Sequence, residues 1–313
     1  FSLQRVGLRQ ISSAIRQAEN VAVLTNLSKD IRLLTHNMMA QGVAAEQLTQ
    51  LISTLNDLLT ARIIELELIS SGLHQPDASQ TVLCWLALGS EGRLEQTFYT
   101  DQDNGIIFTV PGGETADSMR AALLPVARRI NEALAKCGFP LCKGGVMASN
   151  PKWCLSADEW QETFSAWIDH GSPADLLNAS IFFDFPALYG NARLSDRLRS
   201  WLGKQVAATP RFLHQMAANA LLNRPPLGVL RDFVLGQQDT LDIKMNGTTP
   251  FVDAARIFSL ACGSLATNTV QRLRDIAVPL HIGMTEVEGW IDAFYFLQMM
   301  RLLHQHECTA QGR

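Results

Sequence analysis

The sequence predicts an α+β protein with a helical N-terminal region, a small mixed-sheet core and a C-terminal helical bundle. Three observations predict this order: helical periodicity up to about residue 73, short continuous apolar runs in the middle of the chain, and proline-interrupted helical stretches after them. The expected boundaries are 1–75, 76–190 and 191–313. A chain of 313 residues exceeds an average domain, so we expect more than one packed unit.

The N-terminal region is predicted to be helical because its apolar residues recur at three- and four-residue steps, which places them on one helix face. The clearest stretch contains Leu48, Leu51, Ile52, Leu55, Leu58, Leu59 and Ile63. Residues 72–80 then bring glycine, histidine, proline, aspartate and serine together, and this composition interrupts the helical period as a loop does. The predicted boundary near residue 75 rests on this loop.

The middle of the chain predicts strands alternating with helices. Residues 81–88 form a continuous apolar run that ends at Gly89, which is typical of a strand buried on both faces, and residues 106–110 predict a second strand. Between residues 114 and 137 an apolar stripe at helical spacing precedes Gly138, which stands where a C-terminal helix cap belongs. Such alternation indicates an α/β unit inside the core.

Composition and charge exclude several classes of protein. The 26 Lys and Arg against 30 Asp and Glu give a net charge of −4, which argues against duplex nucleic acid as a partner. The apolar runs are shorter than the roughly 20 residues needed to cross a bilayer, so we expect no membrane association. The six cysteines form no CxxC pair, which favours reduced thiols and a cytoplasmic protein. Because the chain begins at Phe1, we expect it to be a fragment of a longer protein.

The glycine-serine turn after the first predicted strand is the first half of a candidate site. Gly89 permits a sharp backbone turn, and Ser90 stands where a helix N-cap is expected. The free amide groups at a helix start can hold an anionic phosphate, and Arg93 adds a positive charge one turn later. Glu95 either orients Arg93 by a hydrogen bond or faces solvent.

A pair of aspartates before the second predicted strand is the other half. Asp101 and Asp103 are two residues apart, so on an extended segment their side chains point to the same side. Two carboxylates in this arrangement predict a site for Mg²⁺ or Mn²⁺. A simple turn is the alternative, because Asn104-Gly105 before an apolar run is a hairpin signal.

Two lysines add a further candidate for nucleotide binding. Lys143 and Lys152 flank a loop rich in glycine, serine and asparagine, whose backbone amides together with the ammonium groups can reach a phosphate or a base. Solvated surface lysines are the alternative. A phosphate site beside a pair of metal-binding carboxylates predicts a nucleotidyl-transfer centre.

The turn and the aspartate pair together carry a resemblance to a known superfamily. The pattern Gly89-Ser90-x-x-Arg93-x-Glu95 followed by Asp101-x-Asp103 resembles the signature of the DNA polymerase β nucleotidyltransferase superfamily. More closely, residues 88–108 and 139–153 resemble the nucleotidyltransferases related to the PII-protein uridylyltransferase. Residues 180–190 and 241–256 look like the remaining blocks of that family.

The resemblance implies Mg²⁺- or Mn²⁺-dependent transfer of a nucleoside monophosphate from an NTP, with UTP as the suggested donor. It implies a hydroxyl acceptor such as a tyrosine of a PII-like signalling protein. It also implies upstream cyclic-nucleotide-binding and CBS regulatory domains in the full-length chain. In this assignment Asp101 and Asp103 bind metal, Gly89 and Ser90 hold the triphosphate, and Arg93 offsets developing negative charge.

One feature departs from the family pattern. The superfamily usually places a third carboxylate on a later strand, and residues 143–149 contain none, so Asp184 is the candidate for a third metal ligand. Without a third carboxylate, no general base for the acceptor hydroxyl is evident. The alternative function is therefore a catalytically weak or inactive nucleotide-sensing or signal-transduction module.

Overall fold

The computed structural model describes residues 2–75, 77, 81–223 and 242–311. The helices are α1 (Ser2–Gln17), α2 (Val21–Ala40), α3 (Ala45–Ser70), α4 (Gly89–Gly92), α5 (Ala116–Lys136), α6 (Ala157–His170), α7 (Pro173–Phe182), α8 (Ala192–Ala208), α9 (Pro210–Ala220), α10 (Thr249–Ala261), α11 (Thr269–Asp275) and α12 (Met284–Ala310). The strands are β1 (Leu83–Ala87), β2 (Asn104–Phe108), β3 (Cys154–Ser156) and β4 (Ala187–Gly190). A 3-10 turn covers Pro151–Trp153, and a π-helical turn covers Lys244–Thr248.

The four strands form one mixed sheet in the order β3-β2-β1-β4. Strand β1 is antiparallel to both β2 and β4, whereas β2 and β3 are parallel. Trp85 of β1 pairs with Ile106 of β2, and every residue of these two central strands is buried. Burial on both faces explains why each strand is a nearly continuous apolar run in the sequence. The α+β class with a small mixed sheet is confirmed.

The N-terminal helices pack on this sheet. The face of α3 that carries Leu55, Leu59 and Ile63 shares one buried core with Trp85 of β1 and Phe108 of β2. Contacts of this kind join Phe1–Thr163 and Phe182–Arg199 into one compact unit. The division of the chain at residue 75 stays a prediction.

Helix α5 begins and ends as its sequence predicts. Thr115 and Ser118 form a reciprocal capping box, in which each side chain binds the backbone N–H of the other residue. At the other end, Gly138 follows the last turn with φ +93°, a conformation that glycine adopts with little strain. The predicted helix between residues 114 and 137 is confirmed.

The second compact unit, Phe164–Ile181 with Ser200–Arg313, is helical in its described residues. Val252 and Ala255 of α10, Leu273 of α11 and Phe294 of α12 share a buried core. The predicted C-terminal helices are therefore confirmed where the structure describes the chain. Residues 224–241, which include the first residue of the family-like block 241–256, lie outside the described residues.

Two expectations from composition bear on the environment of the protein. Across the described helices, none combines the length and apolar character needed to cross a membrane. All six cysteines are free thiols, and burial raises the pKa of both Cys84 and Cys154 to about 12. Thiols with such raised pKa values are protonated at neutral pH and unreactive. The cytoplasmic location stays a prediction.

Candidate active site

The chain leaves β1 through a turn that requires glycine. Gly89 has φ +56°, in the left-handed region, and an added Cβ would lie 2.8 Å from Oδ2 of Asp103. A side chain at this position would therefore be strained and would press against a carboxylate of the segment before β2. The glycine brings the backbone of the turn directly against Asp103.

Ser90 has a different local role from the predicted one. The helical turn α4 begins at Gly89, and Leu88 is the N-cap, so the expectation that Ser90 caps the helix is wrong. The turn starts two residues earlier than a cap at Ser90 would place it, because the N–H of Gly92 already donates to the carbonyl of Leu88, 3.1 Å away. The hydroxyl of Ser90 instead lies 3.3 Å from the hydroxyl of Thr100. Its contact with a nucleotide stays a prediction.

The aspartate pair lies on an extended segment before β2. Asp101 is exposed and Asp103 half-buried, whereas Gln102 and Asn104 are buried, so alternate side chains face opposite sides. Asn104 and Gly105 pair with β1 as part of strand β2, so the alternative of a hairpin turn at this point is wrong. The two carboxylates share one side, as the spacing predicts.

Cys142 joins the aspartates. One ligand atom each from Asp101, Asp103 and Cys142 lies within 4.8 Å of the others, and this is the group in the described part of the chain that could hold a metal ion. Burial raises the pKa of the Cys142 thiol, the backbone N–H groups of Val146 and Gly144 lower it, and the neighbouring Asp103 raises it. Two carboxylates suit a hard divalent cation such as Mg²⁺ or Mn²⁺, and a thiol also suits softer cations such as Zn²⁺ or Cd²⁺. The donor set and the space left by Gly89 fit a divalent cation.

Sequence reasoning missed Cys142. The available signal was its position in a glycine-rich loop, outside the apolar runs that hold Cys84 and Cys154. A single cysteine with no partner motif does not predict a ligand. Only the fold shows that the loop passes beside the aspartate pair.

Arg93 is held between two carboxylates. Its Nε donates to Glu95, 3.0 Å away, and its Nη1 donates to Asp184, 2.9 Å away. The side chains of Glu95 and Asp184 are 5 % and 0 % exposed, so the solvent-facing alternative for Glu95 is wrong. A guanidinium anchored in this way keeps a fixed orientation.

Asp184 is therefore placed beside Arg93. Among the described residues it does not belong to the group of Asp101, Asp103 and Cys142. The backbone around Asp184 lies directly behind the glycine-serine turn, because an added Cβ at Gly92 would clash with its carbonyl oxygen. Metal ligation by Asp184 stays a prediction, and the observed contact assigns its carboxylate to Arg93.

Two further carboxyl groups lie behind the site. Glu91 of α4 is buried, and burial followed by the charges of Asp57 and Asp103 raises its pKa. Burial also raises the pKa of Asp57 on α3, to about 7. Burial and neighbouring like charges favour the neutral forms of these carboxyl groups, and a cation bound nearby would favour their charged forms. Neither residue was predicted, because Asp57 reaches the site only through tertiary packing and the burial of Glu91, which directly follows Ser90, depends on the same packing.

The two predicted lysines are exposed. Lys143 directly follows Cys142, which places it on the loop beside the aspartate pair, and Lys152 lies in the turn Pro151–Trp153. Their ammonium groups have no ion pair in the part of the chain that the structure describes. Their contacts with a nucleotide stay predictions.

An antiparallel strand pair with a glycine-serine turn after one strand and two aspartates before the other is the arrangement that the resemblance to nucleotidyltransferases implies. Residues 29–174 match the family model described as "Putative nucleotidyltransferase DUF294", and residues 210–313 match the model described as "Putative nucleotidyltransferase substrate binding domain". Together these ranges cover about four fifths of the chain, which belongs to this nucleotidyltransferase family. No curated protein matches the chain significantly.

Proposed function

We propose that this chain transfers a nucleoside monophosphate from an NTP to a hydroxyl acceptor, with a divalent cation held by Asp101 and Asp103. The observation that carries the proposal is the close approach of the two motif halves, in which a Cβ at Gly89 would lie 2.8 Å from Oδ2 of Asp103. This approach brings the backbone of the turn beside the carboxylates, where a phosphate group bound to the cation would lie. The family match supports nucleotidyl transfer in general.

Each residue of the site has its own role in binding a triphosphate. Asp101 and Asp103 hold the cation, which when bound neutralises the triphosphate and orients it for attack. Gly89 and Ser90 lie against the phosphates through the backbone and the hydroxyl. Arg93, fixed by its two carboxylate partners, offsets the negative charge that develops on the phosphates.

The proposed reaction breaks a phosphoanhydride bond of the NTP and forms a phosphate ester bond to the acceptor. The acceptor oxygen forms a bond to the α-phosphorus, while the bond between that phosphorus and the bridging oxygen of the β-phosphate breaks. Pyrophosphate leaves with the electron pair of the broken bond, and the acceptor proton is released to solvent. The fixed guanidinium and the cation site stabilise the charge that accumulates on the leaving group.

Donor and acceptor follow from the resemblance alone. UTP is the proposed donor, and a tyrosine hydroxyl of a PII-like signalling protein is the proposed acceptor. Residues 210–313 are the proposed acceptor-binding region, because they match a model described as a substrate binding domain. Regulation by upstream cyclic-nucleotide-binding and CBS domains belongs to the same proposal.

A nucleotide sensor without turnover is the second candidate. The observation in its favour is the composition of the cation group, which among the described residues holds a thiol where a third carboxylate is usual. Asp184, the remaining candidate for that carboxylate, is bound to Arg93. A sensor would bind NTP through the same turn and the same aspartates, and would release no pyrophosphate.

Transfer of the α-phosphate to an acceptor distinguishes the two candidates. The purified chain is incubated with each of ATP, GTP, CTP and UTP, labelled at the α-phosphate, with Mg²⁺ or Mn²⁺ and a PII-type acceptor. The double variant Asp101→Asn, Asp103→Asn is the test, and Asp117→Asn, an exposed carboxylate at the start of α5, is the matched control. Label transfer that only the double variant loses supports the enzyme. Saturable binding without transfer supports the sensor, and transfer that the double variant retains would refute the proposed site.

A further inference from the structure

Three buried amide side chains lie on the side of the aspartate segment opposite to the carboxylates. Gln102, Asn104 and Asn131 are 3 %, 1 % and 2 % exposed. Gln102 and Asn104 alternate with Asp101 and Asp103 along the chain, so each carboxylate has a buried amide as its neighbour. We call these three side chains the amide network.

Asn131 of helix α5 is the centre of the amide network. Its Nδ2 donates to Oε1 of Gln102 at 2.8 Å and to Oδ1 of Asn104 at 3.0 Å. Gln102 returns a bond, because its Nε2 donates to the backbone carbonyl of Asn131 at 2.9 Å and to that of Phe139 at 2.9 Å. One helix residue thus holds both amides that flank the half-buried aspartate.

The amide network also holds the loop 142–150, which carries the thiol of the cation group. The N–H of Ala148 donates to Oδ1 of Asn104 at 2.8 Å, and the N–H of Ser149 donates to Oδ1 of Asn131 at 3.1 Å. The N–H of Asn104 donates to the carbonyl of Val146 at 3.2 Å. The aspartate segment, the loop and α5 are therefore joined by hydrogen bonds in a buried environment.

We propose that Asn131 is a positioning residue that fixes the aspartate segment and the loop of Cys142 on helix α5 and so sets the geometry of the cation group. This inference rests on the proposed function, since the geometry matters only if a cation binds. Asn131 uses both Nδ2 hydrogens and its Oδ1, and no shorter polar side chain supplies two donors and an acceptor. Removal of its amide would take a hydrogen-bond partner from Oε1 of Gln102 and from the N–H of Ser149, and would leave Oδ1 of Asn104 with its bond from Ala148.

Loss of the Asn131 amide is expected to lower the cation affinity as well as the stability of the protein. Buried polar networks hold one arrangement only when every member is satisfied. A cation site needs its ligands held within a few tenths of an ångström, and loss of an outer hydrogen-bond partner typically lowers metal affinity about 10- to 100-fold. A residue that served the core alone would lower stability and leave the affinity of the folded protein unchanged.

The test compares Asn131→Leu with Ile130→Ala. Ile130 is the neighbouring residue of α5, is 2 % exposed and packs in the core, so its truncation lowers stability without touching the amide network. Asn131→Asp is the second variant, because it retains the shape and the acceptor for Ser149 but loses both donor bonds. If Asn131→Leu does not fold, Asn131→Asp carries the same comparison.

Two readouts are measured below the melting temperature of every variant. The first is Mn²⁺ affinity by electron paramagnetic resonance of the free ion. The second is the rate of Cys142 alkylation without metal, mapped by mass spectrometry, because this rate reports the position of the loop whether or not a cation binds. We expect the Asn131 variants to bind Mn²⁺ at least about 10-fold more weakly and to alkylate faster, while Ile130→Ala resembles the wild type.

The outcomes separate this inference from the proposed function. Unchanged Mn²⁺ affinity in the Asn131 variants, or an equal loss in Ile130→Ala, would overturn the positioning role. If the wild type binds no Mn²⁺, the proposed cation site fails, and the alkylation rate still decides about Asn131. An alkylation rate that stays at the wild-type value would then overturn the inference, whereas a faster rate would support the network as the device that holds the loop.

Discussion

Arg93, in the turn after β1, and Asp184, just before β4, form a buried ion pair 2.9 Å long across 91 positions of the chain. Asp184 is fully buried, and Arg93 also binds Glu95. A buried carboxylate with a guanidinium partner orients that guanidinium at the cost of desolvation. The pair therefore connects the segment before β4 to the guanidinium of Arg93. The proposed function places the positive charge of this guanidinium beside the triphosphate.

Asp184→Asn is expected to lower the free energy of unfolding by about 2–4 kcal/mol, because it removes the charge of a fully buried carboxylate that binds Arg93. Urea unfolding measures this loss. Nucleotide affinity should fall as well, whereas Mn²⁺ affinity in the absence of nucleotide should stay unchanged if Asp184 acts through Arg93. A fall in Mn²⁺ affinity alone would instead support Asp184 as a metal ligand.

Glu288→Gln is the control for that experiment. Glu288 forms an exposed ion pair with Arg274, and such pairs contribute about 0–1 kcal/mol. We expect a change in unfolding free energy within about 0.5 kcal/mol for this variant. A comparable loss in both variants would indicate that the contribution of the Arg93–Asp184 pair does not depend on its burial.

Gly89→Ala is expected to abolish cation binding, because the new Cβ would lie 2.8 Å from Oδ2 of Asp103. The matched control is Gly113→Ala, since Gly113 also has a positive φ, +91°, but a Cβ there would meet nothing within 4 Å. Both variants should lose about 1–2 kcal/mol of stability from backbone strain. Only Gly89→Ala should lose Mn²⁺ binding in a titration, and equal binding by the two variants would contradict the close approach.

The buried carboxyl group of Asp57 is expected to make the stability of the protein depend on pH. Burial raises the pKa of Asp57 from 3.8 to about 7, and its Oδ1 has no hydrogen-bond partner in the described part of the chain. A carboxyl whose pKa is raised by folding stabilises the fold fully below its unfolded pKa, and this contribution is lost as pH rises through about 7. The side chain of Asp57→Asn stays neutral at every pH, so this variant avoids the loss of stability at high pH.

We therefore expect Asp57→Asn to increase the free energy of unfolding by about 1–3 kcal/mol at pH 8 and to change it little at pH 4. Chemical denaturation across this range measures the difference. Asp292→Asn, which changes an exposed carboxylate of α12, is the control and should show no such dependence. A gain for Asp57→Asn that is equal at both pH values would contradict the raised pKa.

The thiol of Cys142 is expected to influence which cations the site prefers. Cys142→Ser replaces a soft sulfur ligand by a hard oxygen, so we expect at least about 10-fold weaker Cd²⁺ binding and a smaller change in Mg²⁺ binding. The ultraviolet charge-transfer band of a Cd²⁺–thiolate bond should disappear. Cys262→Ser, a half-buried cysteine of the second unit, should retain it. Retention of the band by Cys142→Ser would exclude the thiol as a ligand.

The sequence predicted those parts of the molecule that depend on local periodicity and on short motifs. The two central strands, helix α5 and the shared side of Asp101 and Asp103 follow from side chains only a few residues apart. The expected cap at Ser90 was wrong because the helical turn begins two residues earlier, with Leu88 as its N-cap, which a motif does not encode. Helix boundaries shift easily by one or two residues.

The parts that the sequence did not predict depend on contacts between distant segments. Asn131 meets Gln102 across 29 positions, and Asp184 meets Arg93 across 91. Cys142 gains its relevance only because its loop passes beside the aspartate pair. No periodicity or spacing encodes these contacts, since each requires the packed sheet and α5.

Cation-dependent nucleotide binding through Asp101 and Asp103 is tested most directly by calorimetry. The titrations use ATP, GTP, CTP and UTP, with and without Mg²⁺, and compare the wild type with the Asp101→Asn, Asp103→Asn double variant. We expect saturable binding to the wild type only when the cation is present. The double variant should lose this binding although it is as well folded as the wild type. Cation-independent binding, or binding that the double variant retains, would contradict the assignment of these two aspartates. Absence of binding to any of the four nucleotides would contradict the proposed function itself.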